Sequence, residues 1–160
     1  MKYIVISFLL VLSFQLHATQ QILEEFDVDR AKFEILQQPL DSYIENKHFH
    51  EKFGPPVCSA SWRGYKGYWA LRNEKLFLDY LITDPCSNKS DMVDAGKLFG
   101  KDQYPIEATW YTGTIVVRIS KRKYFPTVDN YSSIEYEAVV YRFQEGQLVS
   151  RSIDVIREQW

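Results

Sequence analysis

The run Trp69-Ala70-Leu71-Arg72-Asn73-Glu74-Lys75-Leu76-Phe77-Leu78 constrains this chain more than any other. Apolar residues recur every second position on both sides of Asn73-Glu74, which has the length and polarity of a two-residue turn. If the chain reverses there, Leu71 faces Leu76, Trp69 faces Leu78, and Arg72 faces Lys75 at the rim. Trp69, Leu71, Leu76 and Leu78 then share one face, as a core requires. A slip of one residue would send Leu76 and Leu78 to the wrong side. Turn and apolar pattern thus agree on an antiparallel hairpin, with strands over residues 61–72 and 75–82. Gly64 and Gly67 leave room for a bend or bulge in the first.

A second hairpin is expected where residues 134–143 and 147–156 flank Glu145-Gly146, with Phe143 opposite Leu148. Residues 106–120 read as one further long strand. Tyr111, Ile115, Val117 and Ile119 lie on one face, and Gly113 marks a bulge. Pro39 opens a short amphipathic helix to about Lys47, carried by Leu40, Tyr43 and Ile44. Ser90 caps another over residues 91–99, with Gly100 just beyond its end. Residues 33–36 form a short apolar strand. Residues 19–30, with Glu24, Glu25, Asp27 and Asp29, read as a leader or frayed helix. Strands that come as hairpins, without long helices between them, predict a mainly β (α+β) fold. The sheet is expected to be antiparallel and curled into a barrel or sandwich, with one or two short helices. Eleven Tyr, ten Phe and four Trp suit such a sheet.

The chain opens with Lys2, an apolar run over residues 4–14, and a more polar end with Ala18 at the expected cut. That order predicts a signal peptide over residues 1–18 and a single globular domain over 19–160, its core about 33–156. The apolar run is too short to cross a bilayer roughly 30 Å thick. A periplasmic or secreted chain follows from this reading. In such a compartment Cys58 and Cys86, the only cysteines, are expected to form a disulfide. A net charge of −2 argues against a nucleic-acid partner.

Two segments carry a resemblance. In the first, Trp62-Arg63-Gly64-Tyr65 leads to Trp69, then to a polar turn and Leu76-Phe77-Leu78. In the second, Trp110-Tyr111-Thr112-Gly113-Thr114-Ile115 precedes the late Glu-Gly hairpin. Together, over about residues 35–156, they resemble a pattern recurring in a set of small exported bacterial proteins to which no activity is assigned. The resemblance implies a bacterial origin and a single domain, and brings no catalytic residues. Cys58 and Cys86 are not part of it.

The chemistry-bearing residues are sparse. His48 and His50 would share a face on a strand and are weak metal candidates, since a zinc site needs three or four ligands. A Cys58–His48 or Cys58–His50 dyad would need a reduced thiol and an orienting acid. Glu135 and Glu137 have the separation of a glycosidase pair, as do many surface pairs. No nucleophile elbow, Walker loop or dinucleotide fingerprint occurs. Lys121-Arg122-Lys123 reads as a solvated basic loop that could touch anionic lipid. Trp62, Arg63, Tyr65, Lys66 and Tyr68 interleave cations with aromatic rings and form the candidate binding face. The expectation is a non-enzymatic protein-binding module without cofactor, membrane span or catalytic residues. The alternatives are a small-ligand carrier with an interior cavity and an immunity-type inhibitor of a secreted toxin.

Overall fold

The computed structural model describes residues 20–128 and 131–159, so the expected leader over residues 1–18 lies outside the described residues. The chain begins with a strand, β1 (Glu24–Val28), where a leader or frayed helix is expected from sequence. Glu24, Phe26 and Val28 point inward and are buried, while Glu25 and Asp27 point outward. The chain turns at Asp29-Arg30, both at positive φ, into β2 (Ala31–Ile35).

The helix expected from Pro39 to Lys47 divides. Pro39–Ser42 is a single 3-10 turn, and α1 follows at Asn46–Phe53 with Phe49 as its buried residue. Next come β3 (Tyr65–Arg72) and β4 (Lys75–Thr83), in the expected register. Leu71 pairs Leu76, Trp69 pairs Leu78 and Arg72 pairs Lys75. The bulge expected at Gly64 or Gly67 of the first strand lies instead in β4, where Asp79 is the extra residue between the Tyr68–Tyr80 and Trp69–Leu78 pairs. Helix α2 spans Ala95–Phe99. Asp94 caps it, accepting from Lys97 N at 3.1 Å, and Gly100 ends it in the left-handed conformation. Ser90, the expected cap, instead donates to the carbonyls of Asp84 and Ser87.

Residues 106–120 are two strands and not one. The pair β5 (Ile106–Glu107) joins β4, then the chain turns with Tyr111 N bonded to Ala108 O at 2.9 Å, and β6 begins at Gly113–Arg118. The turn carries the Trp110 indole to the carbonyl of Pro39 at 3.0 Å. Ile119, beyond the end of β6, is exposed. Strands β7 (Lys123–Val128), β8 (Tyr131–Gln144) and β9 (Gln147–Gln159) complete the chain, with Phe143 opposite Leu148 as expected.

The fold is mainly β, as the sequence predicts. The nine strands of the described residues form one sheet in the order β2-β1-β3-β4-β9-β8-β6, with β5 on β4 and β7 on β8. The sheet is mixed, because β1 runs parallel to β3, with Phe26 beside Trp69. It is also open. It curls until β2 and β6 lie side by side, yet the bond at the seam comes from a side chain: Val116 N donates to Gln37 Oε1 at 3.1 Å. Phe26, Ile35, Trp69, Leu76, Leu78 and Ile115 fill the concave side and are almost wholly removed from water.

The two hairpin tips bind one another. Leu76 N donates to Gly146 O at 2.8 Å, and Leu148 N to Glu74 O at 2.7 Å. Gly146 is needed twice over: its φ is 77°, and a Cβ there would lie 2.7 Å from Ala108 O. Cys58 and Cys86 are bridged, with Cα atoms 6.5 Å apart. The bond ties the chain just ahead of β3 to the loop just after β4.

Candidate functional site

The five residues of the expected binding face do not form one face. Period-two alternation along β3 turns Tyr65 inward, where it is 4% exposed, and sends Lys66 and Tyr68 to the other side. The Tyr65 hydroxyl donates to Asp41 Oδ1 at 2.6 Å. Burial, with Glu24 and Asp41 nearby, pushes its phenol well above the usual range. On the outer side the Lys66 ammonium lies 5.0 Å from the Tyr68 ring centroid, and Tyr68 stacks on Tyr80 at 4.1 Å. Trp62, 45% exposed, stands ahead of the strand beneath the Arg63 guanidinium. Arg63 Nε lies 3.5 Å from Asp41 Oδ2. Most of these groups are thus engaged with one another.

His48 and His50 lie on α1 and not on a strand, so the two-residue spacing points them to roughly opposite sides, about 200° apart. His48 is exposed. His50 Nε2–H donates to the Arg63 carbonyl at 3.0 Å, fixing the chain as it enters β3. Among the described residues no group of three His, Cys, Asp or Glu side chains is placed to hold a metal ion. The disulfide leaves Cys58 no thiol for a dyad. Glu135 is ion-paired with Arg157 at 2.5 Å.

One polar cluster is absent from the sequence reading. Glu24 is buried beneath Trp69, whose indole Nε1–H donates to Glu24 Oε2. Gly67 makes this contact possible, since a Cβ at that position would lie 2.6 Å from Trp69 Nε1 and 2.8 Å from Glu24 Oε2. Burial raises the Glu24 carboxyl to about 8, against the lowering effect of the Trp69 bond; Asp41 adds to the rise, and Arg63 and Lys66 oppose it. The signal for this site was the period-two register of Glu24 with Phe26 and Val28.

Strand β9 is the longest unfilled edge among the described residues. Beyond its first residues, where it meets β4 at Gln147 and Leu148, β9 pairs only with β8 among the described residues. Val149, Ile153 and Val155 are exposed there, Ile153 by 71% and Val155 by 60%. Two surface clefts stand out among the described residues. One of about 450 Å³ lies beside the interlocked hairpin tips, against Glu107 and Gln147. The other, of about 590 Å³, lies at the seam between β2 and β6. Among the described residues no helix is long and apolar enough to cross a membrane. No protein-family model, no curated protein and no solved structure matches the chain.

Proposed function

We propose that the chain is an exported, non-enzymatic protein-binding module that takes an extended segment of a partner protein along β9. The observation that carries this reading is the open β9 edge. Over residues 149–159 its outer backbone has no neighbouring strand among the described residues, and large apolar side chains stand exposed along it. Soluble proteins ordinarily blunt such edges with charge, proline or a bulge. Here the charged side chains of β9 are turned to partners within the chain, Arg151 to Asp29, Asp154 to Arg142 and Arg157 to Glu135, and the bulge at Arg142/Phe143 lies close to the turn, so the rest of the edge backbone stays regular. An added strand would gain main-chain hydrogen bonds, and alternate apolar side chains would cover Ile153 and Val155. The occupant is therefore an extended segment with apolar residues at every second position.

The disulfide supports export, since oxidising compartments are where such bonds persist. Support for a non-catalytic role comes from Glu24. It is the carboxyl moved furthest from its ordinary value among the described residues, yet it is only 4% exposed and out of a substrate's reach. The packed concave side also favours an edge-binding role over an interior carrier.

The test is selection of twelve-residue peptides from a displayed library against the full protein. The expected winners alternate apolar residues, protect β9 amides from hydrogen exchange, and lose binding at least tenfold on Ile153→Lys or Val155→Pro. Both positions are exposed, so folding should survive Ile153→Lys. Selected peptides that bind both variants as they bind the parent, or a library that yields no binder, would overturn the reading.

A further inference from the structure

The seam cleft has a chemistry of its own. Its wall on one side comes from β2 and the residues after it, including Phe33 and Leu36; the other wall comes from β6, β8 and β9, through Val116, Tyr136 and Ile156. Val116 and Ile156 pack on a small apolar cluster of Ile134, Tyr136 and Ala138, separate from the main core. The floor is therefore apolar although it lies on the outer side of the sheet. Its volume, about 590 Å³, falls within the roughly 300–1,000 Å³ of small-molecule sites.

The rim carries Arg118 and Arg122. Arg63, Arg72, Arg142, Arg151 and Arg157 each pair with a carboxylate. Arg118 and Arg122 take part in no ion pair among the described residues, and both line this one cleft. Both are near enough to the Tyr136 phenol to oppose the rise that burial gives it. The carboxylates of the lining are Glu34 and Glu158, and Glu158 already accepts from the Tyr136 hydroxyl at 2.7 Å. Lys32, the third cation of the lining, is paired with Glu25 at 2.7 Å. Two guanidinium groups are thus left to receive an anion from outside the chain.

We infer that this cleft binds an amphiphilic anion: a single acyl or alkyl chain laid on Val116, Tyr136 and Ile156, ending in a carboxylate or phosphate held by Arg118 and Arg122. Neither the chain nor the headgroup suffices alone. The apolar floor selects against bare inorganic anions, and the guanidinium pair selects against neutral lipids. The basic loop over residues 121–123 thereby acquires a role through Arg122. The inference is independent of the β9 edge, because Ile156 and Glu158 face the opposite side of that strand from Ile153 and Val155.

The test is isothermal titration of the full protein with laurate and dodecyl phosphate below their micelle concentrations, with dodecanol below its solubility limit, and with inorganic phosphate. Laurate or dodecyl phosphate should bind one to one, and the tighter of the two identifies the headgroup. Dodecanol and inorganic phosphate should bind at least tenfold more weakly. The double variant Arg118→Gln/Arg122→Gln should lose at least tenfold in affinity for the anion, with its thermal midpoint unchanged. Leu36→Glu, at an exposed position on the facing wall, should weaken the same ligands without unfolding the chain. Equal binding of dodecanol and laurate, full affinity in the double variant, or no binding of either anion would overturn the inference.

Discussion

Between pH 5 and pH 9 the folded protein is expected to lose stability steadily, and Glu24→Gln is expected to remove most of that loss. The cause is the buried carboxyl, which burial raises from 4.5 to about 8. Its folded value lies above its unfolded one, so the folded chain holds the proton more tightly. The stabilisation is complete below about pH 4.5 and disappears as pH climbs toward 8, because the unfolded chain is free to ionise and the folded one is not. At 1.36 kcal/mol for each pH unit of difference, the contribution is roughly 5 kcal/mol in all. Glutamine has the same shape, stays neutral at every pH and can still accept from Trp69. Urea unfolding at pH 5, 7 and 9 reads the effect directly. Trp69 fluorescence in the folded state should also titrate near pH 8 in the parent alone. A Glu24→Gln protein that loses stability as steeply as the parent would show that other groups govern the pH response.

The second large effect is loss of the Cys58–Cys86 bond. Cys58→Ala/Cys86→Ala, or reduction of the parent, should cost roughly 3–4 kcal/mol, from freeing a loop closed across a separation of 28 residues. The bond lies at the open end of the β3–β4 hairpin, where Asp84 N also donates to Gly64 O at 3.0 Å. The hairpin itself should therefore survive reduction, and the loss should appear in the global unfolding transition. Urea titrations with and without reductant measure it. A difference under about 1 kcal/mol would mean that the backbone contacts already hold this end in the unfolded ensemble.

The parts of the fold that could be read from sequence are those where two local rules agree. Asn73-Glu74 and Glu145-Gly146 are turns flanked by apolar alternation of matching register, and both hairpins form as expected. Strand β1 was hidden because Glu24, Glu25, Asp27 and Asp29 resemble a solvated leader, and Asp29-Arg30 lacks the glycine that marks such turns. Its parallel partner β3 lies some forty residues on, and no local pattern encodes that pairing. The candidate face failed for a simpler reason. Composition grouped Tyr65 with Lys66 and Tyr68, although alternation along the strand already separates them. The seam cleft is built from strands distant in the chain, so only Arg122 was visible in advance, as part of a basic loop.

The parallel pairing of β1 with β3 also bears on the order in which the chain can be completed. Of the described strands the first made is an inner one, flanked by β2 on one side and β3 on the other. A growing chain can close the β1–β2 hairpin at once, but Phe26 has no Trp69 beside it until β3 has been synthesised. Until then the nascent protein carries an apolar strand with one bare edge, and contacts this distant in sequence form late. The interval between the first hairpin and the arrival of β3 is therefore when the chain is most exposed to misassembly, and when a chaperone that holds extended segments would find it.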